Sequence, residues 1–73
     1  MIVVPYDPRL TPCSWQGGTT PTGRTALFCC PRGHIGTLSD HEIGLDGTVS
    51  PSVVCPHEGC DFHEFIKLEG WKP

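Results

Sequence analysis

Apolar residues along this chain come in short alternating bursts, and no segment sustains a 3.6-residue period. Nine glycines and eight prolines interrupt the pattern at close intervals, which is the punctuation of turns and short strands. Arg24–Cys30 is predicted to be a strand, and Ile35–Leu38 a brief return strand. His41–Leu45 places Ile43 and Leu45 on one face, and Asp46-Gly47 follows as a two-residue hairpin turn. Thr48–Val49 and Val53–Val54 form the returning strand, which Pro51 confines to an edge or a bulge. Phe62–Leu68 is the last strand, with Phe62, Ile66 and Leu68 on one face and Phe65 on the other with Trp71.

Residues 1–23 have a different character. Pro5, Pro8, Pro12 and Pro21 recur among Thr, Ser and Gly17-Gly18, which predicts an extended N-terminal arm with Ile2–Val4 as a short edge strand. Ile2, Val4, Tyr6 and Trp15 are its candidate partner-binding side chains, tryptophan being enriched among interface hot spots. The competing reading pairs Ile2–Val4 with the domain's own sheet and lays Trp15 over the core as a lid, since small domains need such cover. The expected organisation is an arm at 1–23 and a β-rich domain at 24–73.

A chain of 73 residues makes one domain with a marginal core. Such scaffolds need a disulfide set, a metal or a partner subunit. Five cysteines, an odd number, fit a closed disulfide framework poorly. Their arrangement points to metal instead. Cys30-Pro-Arg-Gly-His34 and Cys55-Pro-His-Glu-Gly-Cys60 each begin Cys-Pro, turn at a glycine and place a second soft ligand directly after it. Two such knuckles supply the four ligands of a tetrahedral structural zinc. The predicted set is therefore Cys30, His34, Cys55 and Cys60, holding one Zn2+. His63 and then His57 are alternates for the histidine, because zinc accepts imidazole at several offsets. Cys29 is the alternate to Cys30, but it lacks the following Pro-x-Gly register and reads as a small buried hydrophobe. Cys13 is left over.

The expected fold class is a small β-rich zinc ribbon of two knuckles and antiparallel strands with an extended N-terminal arm. Four good ligands make a closed site without an open catalytic position, so no enzyme is expected. The net charge is −3, and the basic residues Arg9, Arg24, Arg32, Lys67 and Lys72 do not cluster, which counts against nucleic acid as partner. The N-terminus has neither a basic n-region nor a long apolar h-region, so neither a signal peptide nor a membrane span is expected.

The stretch from Phe28 to Trp71 resembles small zinc-ribbon-like proteins of bacteriophages and prophages. The shared pattern is Cys-Pro-x-Gly-His, then Asp46-Gly-Thr-Val-Ser-Pro-Ser-Val-Val-Cys55, then Cys60-Asp-Phe-His-Glu-Phe-Ile-Lys-Leu-Glu-Gly-Trp71. The resemblance covers well over half of the chain, leaves out residues 1–23 and implies a phage origin and a metal-binding ribbon. It carries no reaction. The functional expectation is a zinc-stabilised module that binds a protein, either modulating a host protein or serving as a component of the phage particle. It would work in the host cytoplasm or in a particle assembled there. The rivals are a nucleic-acid-binding ribbon, favoured by fold analogy and opposed by charge, and a zinc-dependent hydrolase.

Overall fold

A computed structural model describes residues 1–21 and 23–72, so Thr22 and Pro73 of the two expected ranges lie outside the described residues. Nine short strands and no helix are found among the described residues. The strands are β1 (Ile2–Val4), β2 (Ser14–Thr20), β3 (Gly23–Cys29), β4 (Ile35–Thr37), β5 (Glu42–Ile43), β6 (Val49–Ser50), β7 (Val53–Val54), β8 (His63–Glu64) and β9 (Ile66–Leu68). β2, β3 and β4 form an antiparallel sheet in that order, β5 pairs with β6, and β7 pairs with β8, all antiparallel. Among the strands of the described residues, β1 alone pairs in parallel, with β9, placing Ile2, Val3 and Val4 opposite Ile66, Lys67 and Leu68.

The N-terminal segment is not an arm outside the domain. Past β1 the chain runs alongside β2: the Trp15 N–H donates to the Pro5 carbonyl at 3.0 Å, and the Asp7 N–H donates to the Trp15 carbonyl at 2.9 Å. Residues 2–7 thus bridge β9 to the three-stranded sheet. Val4 is fully buried and Trp15 is 3% exposed, so neither is an exposed anchor. The Trp15 indole N–H donates to the Glu69 carbonyl at 3.0 Å, and its ring meets Tyr6 and Trp71 at centroid distances of 5.0 and 5.7 Å. Tryptophan buries a large apolar body when its N–H finds an acceptor. In a chain this short, that burial outweighs any gain from presenting the ring to solvent. Ile2 is half-buried against the core, and of the four candidate partner contacts only Tyr6 is largely exposed.

β2 is the element the apolar pattern does not announce. Its sequence, SWQGGTT, lacks alternating apolar residues, yet all seven residues pair with β3. Gly18 lies across from Thr25, and a Cβ there would meet the Thr25 side chain at 3.4 Å. The partner strand therefore confers the β state that local propensity withholds.

The hairpin at Asp46-Gly47 differs in detail from the two-residue form. The Gly47 N–H donates to the Gly44 carbonyl at 2.9 Å, so Leu45 and Asp46 occupy the turn centre and Gly47 follows at φ +91°. This is the arrangement of a type I turn closed by a glycine bulge. Leu45 consequently sits exposed at the tip and does not share a buried face with Ile43. Glycine is required at 47 twice over: its φ is positive, and a Cβ would lie 2.4 Å from the Leu68 carbonyl oxygen. The expected last strand is broken at Phe65 into β8 and β9. Ile66 and Leu68 are fully buried, Phe62 packs against Phe28 at 5.5 Å, and Phe65 is exposed. Trp71 turns back onto the core instead of sharing the Phe65 side.

The core is made of Val4, Trp15, Ala26, Phe28, Leu38, Val49, Val53, Ile66 and Leu68, with Cys30 at its margin. Full burial of such side chains contributes about 1.5–3 kcal/mol each. Since two of them come from residues 1–23, a chain beginning at residue 24 is expected to lose its dispersed amide NMR spectrum. Trp15→Ala should cost about 3–5 kcal/mol in denaturant unfolding. A truncated chain that kept its dispersed spectrum would show that the segment is dispensable.

Candidate metal centre

Each member of the predicted ligand set stands at or near the end of a strand. Cys30 directly follows β3 and His34 directly precedes β4; Cys55 directly follows β7, and Cys60 lies just before β8. In the first turn the Gly33 N–H donates to the Cys30 carbonyl and the Cys30 N–H to the His34 carbonyl, both at 2.9 Å. Pro31 occupies the second position and Gly33 the fourth, at φ +88°. In the second turn the Cys60 N–H donates to the His57 carbonyl at 3.0 Å, with Gly59 in the third position at φ +83°. A positive φ at the third position is the signature of a type II turn. The two halves thus look alike in sequence but reach their second ligand through different turns.

The four side chains converge. Their ligand atoms lie within 4.8 Å of one another and can hold a metal ion. The His34 Nδ1 is 3.5 Å from both Cys30 Sγ and Cys55 Sγ, and the sulfurs of Cys30 and Cys60 are 3.9 Å apart. A tetrahedron with metal–sulfur bonds near 2.3 Å and a metal–nitrogen bond near 2.0 Å has S···S edges of about 3.8 Å and S···N edges of about 3.5 Å. The three edges given above match those of a four-coordinate ion of that size, and three thiolates with one imidazole are a donor set suited to one.

Electrostatics prepare the site. Burial acts to raise the Cys30 thiol, but N–H groups of His34 and Arg32 aimed at its sulfur, with the Cys60 and Cys55 thiols, outweigh this and bring it below the ordinary thiol range. At Cys55 the His57 N–H acts to lower the thiol. Partial burial and the neighbouring Cys60 and Cys30 sulfurs prevail, and Cys55 is raised. Cys30 therefore ionises before Cys55, and its charge opposes ionisation of Cys55 until a cation arrives. On the rim, Arg32 of the first turn meets Asp61 beyond the second at 3.1 Å. Both are well exposed, so this pair contributes at most about 1 kcal/mol.

The alternates lie elsewhere. His57 is outside the ligand group and stacks on His34, with ring centroids 3.8 Å apart and planes 5° apart. That contact braces the ligand imidazole, and only the closeness of the two turns in space creates it. The His63 Nε2 is 2.7 Å from Ser52 Oγ, which ties β8 to the Pro51 loop. Cys29 is buried, pairs with Ser14 across β2 and β3, and burial raises its thiol. Cys13 packs against the core margin, and burial raises its thiol too. Neither joins the four. Comparison with family models, curated proteins and solved structures gives no significant match.

Cys30→Ser, Cys55→Ser or Cys60→Ser is expected to abolish stoichiometric metal binding in native mass spectrometry. Cys13→Ser, Cys29→Ala and His63→Ala should each retain one ion. The ligand thiols must lose their protons to bind. Metal uptake near neutral pH should therefore release protons, measurable with an indicator in weak buffer, and retention against a chelator should fall as pH drops from about 8 to about 5.

Proposed function

We propose that this protein is a zinc-ribbon module whose zinc is structural and whose activity is to bind another protein. The carrying observation is that four candidate ligand atoms, three sulfurs and one imidazole nitrogen, lie within 4.8 Å of one another, enough to fill a tetrahedron around one ion. A zinc so enclosed has no position left for water or substrate, which separates the site from hydrolytic zinc centres with three protein ligands. The two Cys-Pro knuckles would join the β3–β4 hairpin to the β7–β8 pair. In a domain of this size the ion contributes directly to folding, on the order of 10 kcal/mol.

Binding of a protein is favoured over binding of nucleic acid by charge and its distribution. The chain carries −3, Arg32 is paired with Asp61, and Arg24 lies over the Trp71 ring at 4.6 Å while donating to the Lys72 carbonyl. Few cations remain to displace counterions from phosphates. Large apolar side chains are meanwhile exposed, among them Val3, Tyr6, Ile35, Val54 and Phe65. With the resemblance to phage proteins, the partner is a host protein whose action is modulated or another component of the phage particle.

Cobalt substitution tests the closed site: the visible spectrum should show intense tetrahedral thiolate bands that added azide or cyanide leaves unchanged. A spectrum altered by such exogenous ligands indicates an open position and would sink the structural reading. Duplex DNA, single-stranded DNA and RNA should bind only weakly at physiological salt in a mobility-shift titration. A tight, salt-sensitive complex would reverse the choice of partner.

A further inference from the structure

An open groove of about 410 Å³ runs beside the metal centre, between β4 and β7. Its floor includes Phe28, Leu38 and Val53, all buried. Its flanks are strand edges, and the hydrogen-bond register shows which backbone groups they present. The Cys30 N–H donates to the His34 carbonyl and the Leu38 N–H to the Ala26 carbonyl, so residues 34, 36 and 38 face β3. By alternation, the N–H and C=O groups of Ile35 and Thr37 point away from β3. On the other flank the Cys55 N–H donates to the Phe62 carbonyl, and Val53 lies opposite Glu64. Val54 therefore directs its backbone groups away from β8. No Lys or Pro guards Ile35–Thr37, although native edges are usually blunted by such residues.

Gly36 gives the groove its depth. It pairs with Phe28 and shares the core-side face, where a Cβ would meet nothing within 4 Å. The space a side chain would fill is left open above the Phe28 ring. Charge complementarity defines the occupant. No Asp, Glu, Lys or Arg lines the groove, and its titratable groups besides the two ligand thiols are the imidazoles of His34, His41 and His57. The His41 Nε2 is spent on the Ser52 carbonyl at 3.3 Å. A charged side chain would be desolvated here without a counter-charge, so the matching segment is uncharged.

From these observations we propose that the groove binds an extended, uncharged peptide segment of a partner protein. The segment adds a strand to the free edge of β4 and directs alternate apolar side chains over Gly36 onto Phe28, Leu38 and Val53. Backbone hydrogen bonds provide the pairing and the apolar floor provides the selectivity. This inference rests on the protein-binding reading and narrows it to one surface.

The test uses the full-length, zinc-loaded chain as bait for a random heptapeptide library, followed by synthesis of the enriched peptide. The peptide should be uncharged and alternately apolar, and it should shift the amide NMR signals of Ile35, Thr37 and Val54. Its affinity should fall about tenfold or more when alternate peptide nitrogens are methylated. Two protein variants should cause a similar loss while zinc content and spectral dispersion are retained. Thr37→Pro removes an edge donor that β3 does not use, and Gly36→Leu fills the floor. An enriched peptide whose affinity survives both substitutions, or whose shifts fall on another face, overturns the groove and leaves protein binding standing. Failure of any peptide to enrich also overturns the groove. If a nucleic acid then binds tightly, the protein-binding reading falls with it.

Discussion

Three thiols and an imidazole within 4.8 Å of one another are the constraint on which the rest of this structure depends. As thiolates they repel, and as thiols they leave a polar knot at the edge of a core too small to carry one. A cation at their centre resolves both difficulties. The geometry also ties distant parts of the chain together. Cys30 and His34 terminate one strand pair, Cys55 and Cys60 the other, and the groove opens where those pairs meet. Three of the four, Cys30, His34 and Cys55, also line the groove, so the metal centre and the groove share one wall.

The second constraint is the closure of a small core. Strands of two or three residues cannot form a broad sheet, and the fold compensates by inserting its own N-terminus. β1 lies against β9, and residues 5–7 continue along β2, so one segment joins both ends of the chain to the central hairpin. Trp15 then covers the junction, with its indole N–H satisfied by a carbonyl 54 residues away. The outer face of the β1–β9 pair remains open, with Val3 and Phe65 exposed, although parallel strands are usually covered on both faces.

The grouping of Cys30, His34, Cys55 and Cys60 was legible in the sequence because its signal is local. Cys-Pro followed by a glycine turn places two donors side by side whatever the remainder of the chain does, and two such turns in one short chain have few other uses. Gly47 was legible as a turn for the same reason, since a positive φ is a local demand. The strands rich in Val, Ile and Phe announced themselves through alternation. β2 did not, because SWQGGTT takes its pairing from β3 and contributes little propensity of its own.

Tertiary structure alone decided the fate of residues 1–20. Prolines and glycines describe an extended backbone equally well whether it lies in solvent or against a sheet, and local pattern carries no information about which. Val4 and Trp15 lie inside, where a domain this small gains most from burying them. The stacking of His57 on His34, the separation of His63 toward Ser52 and the open edge of β4 have the same origin. They are relations between segments far apart in the chain, and only the docking of one hairpin on another brings them into being.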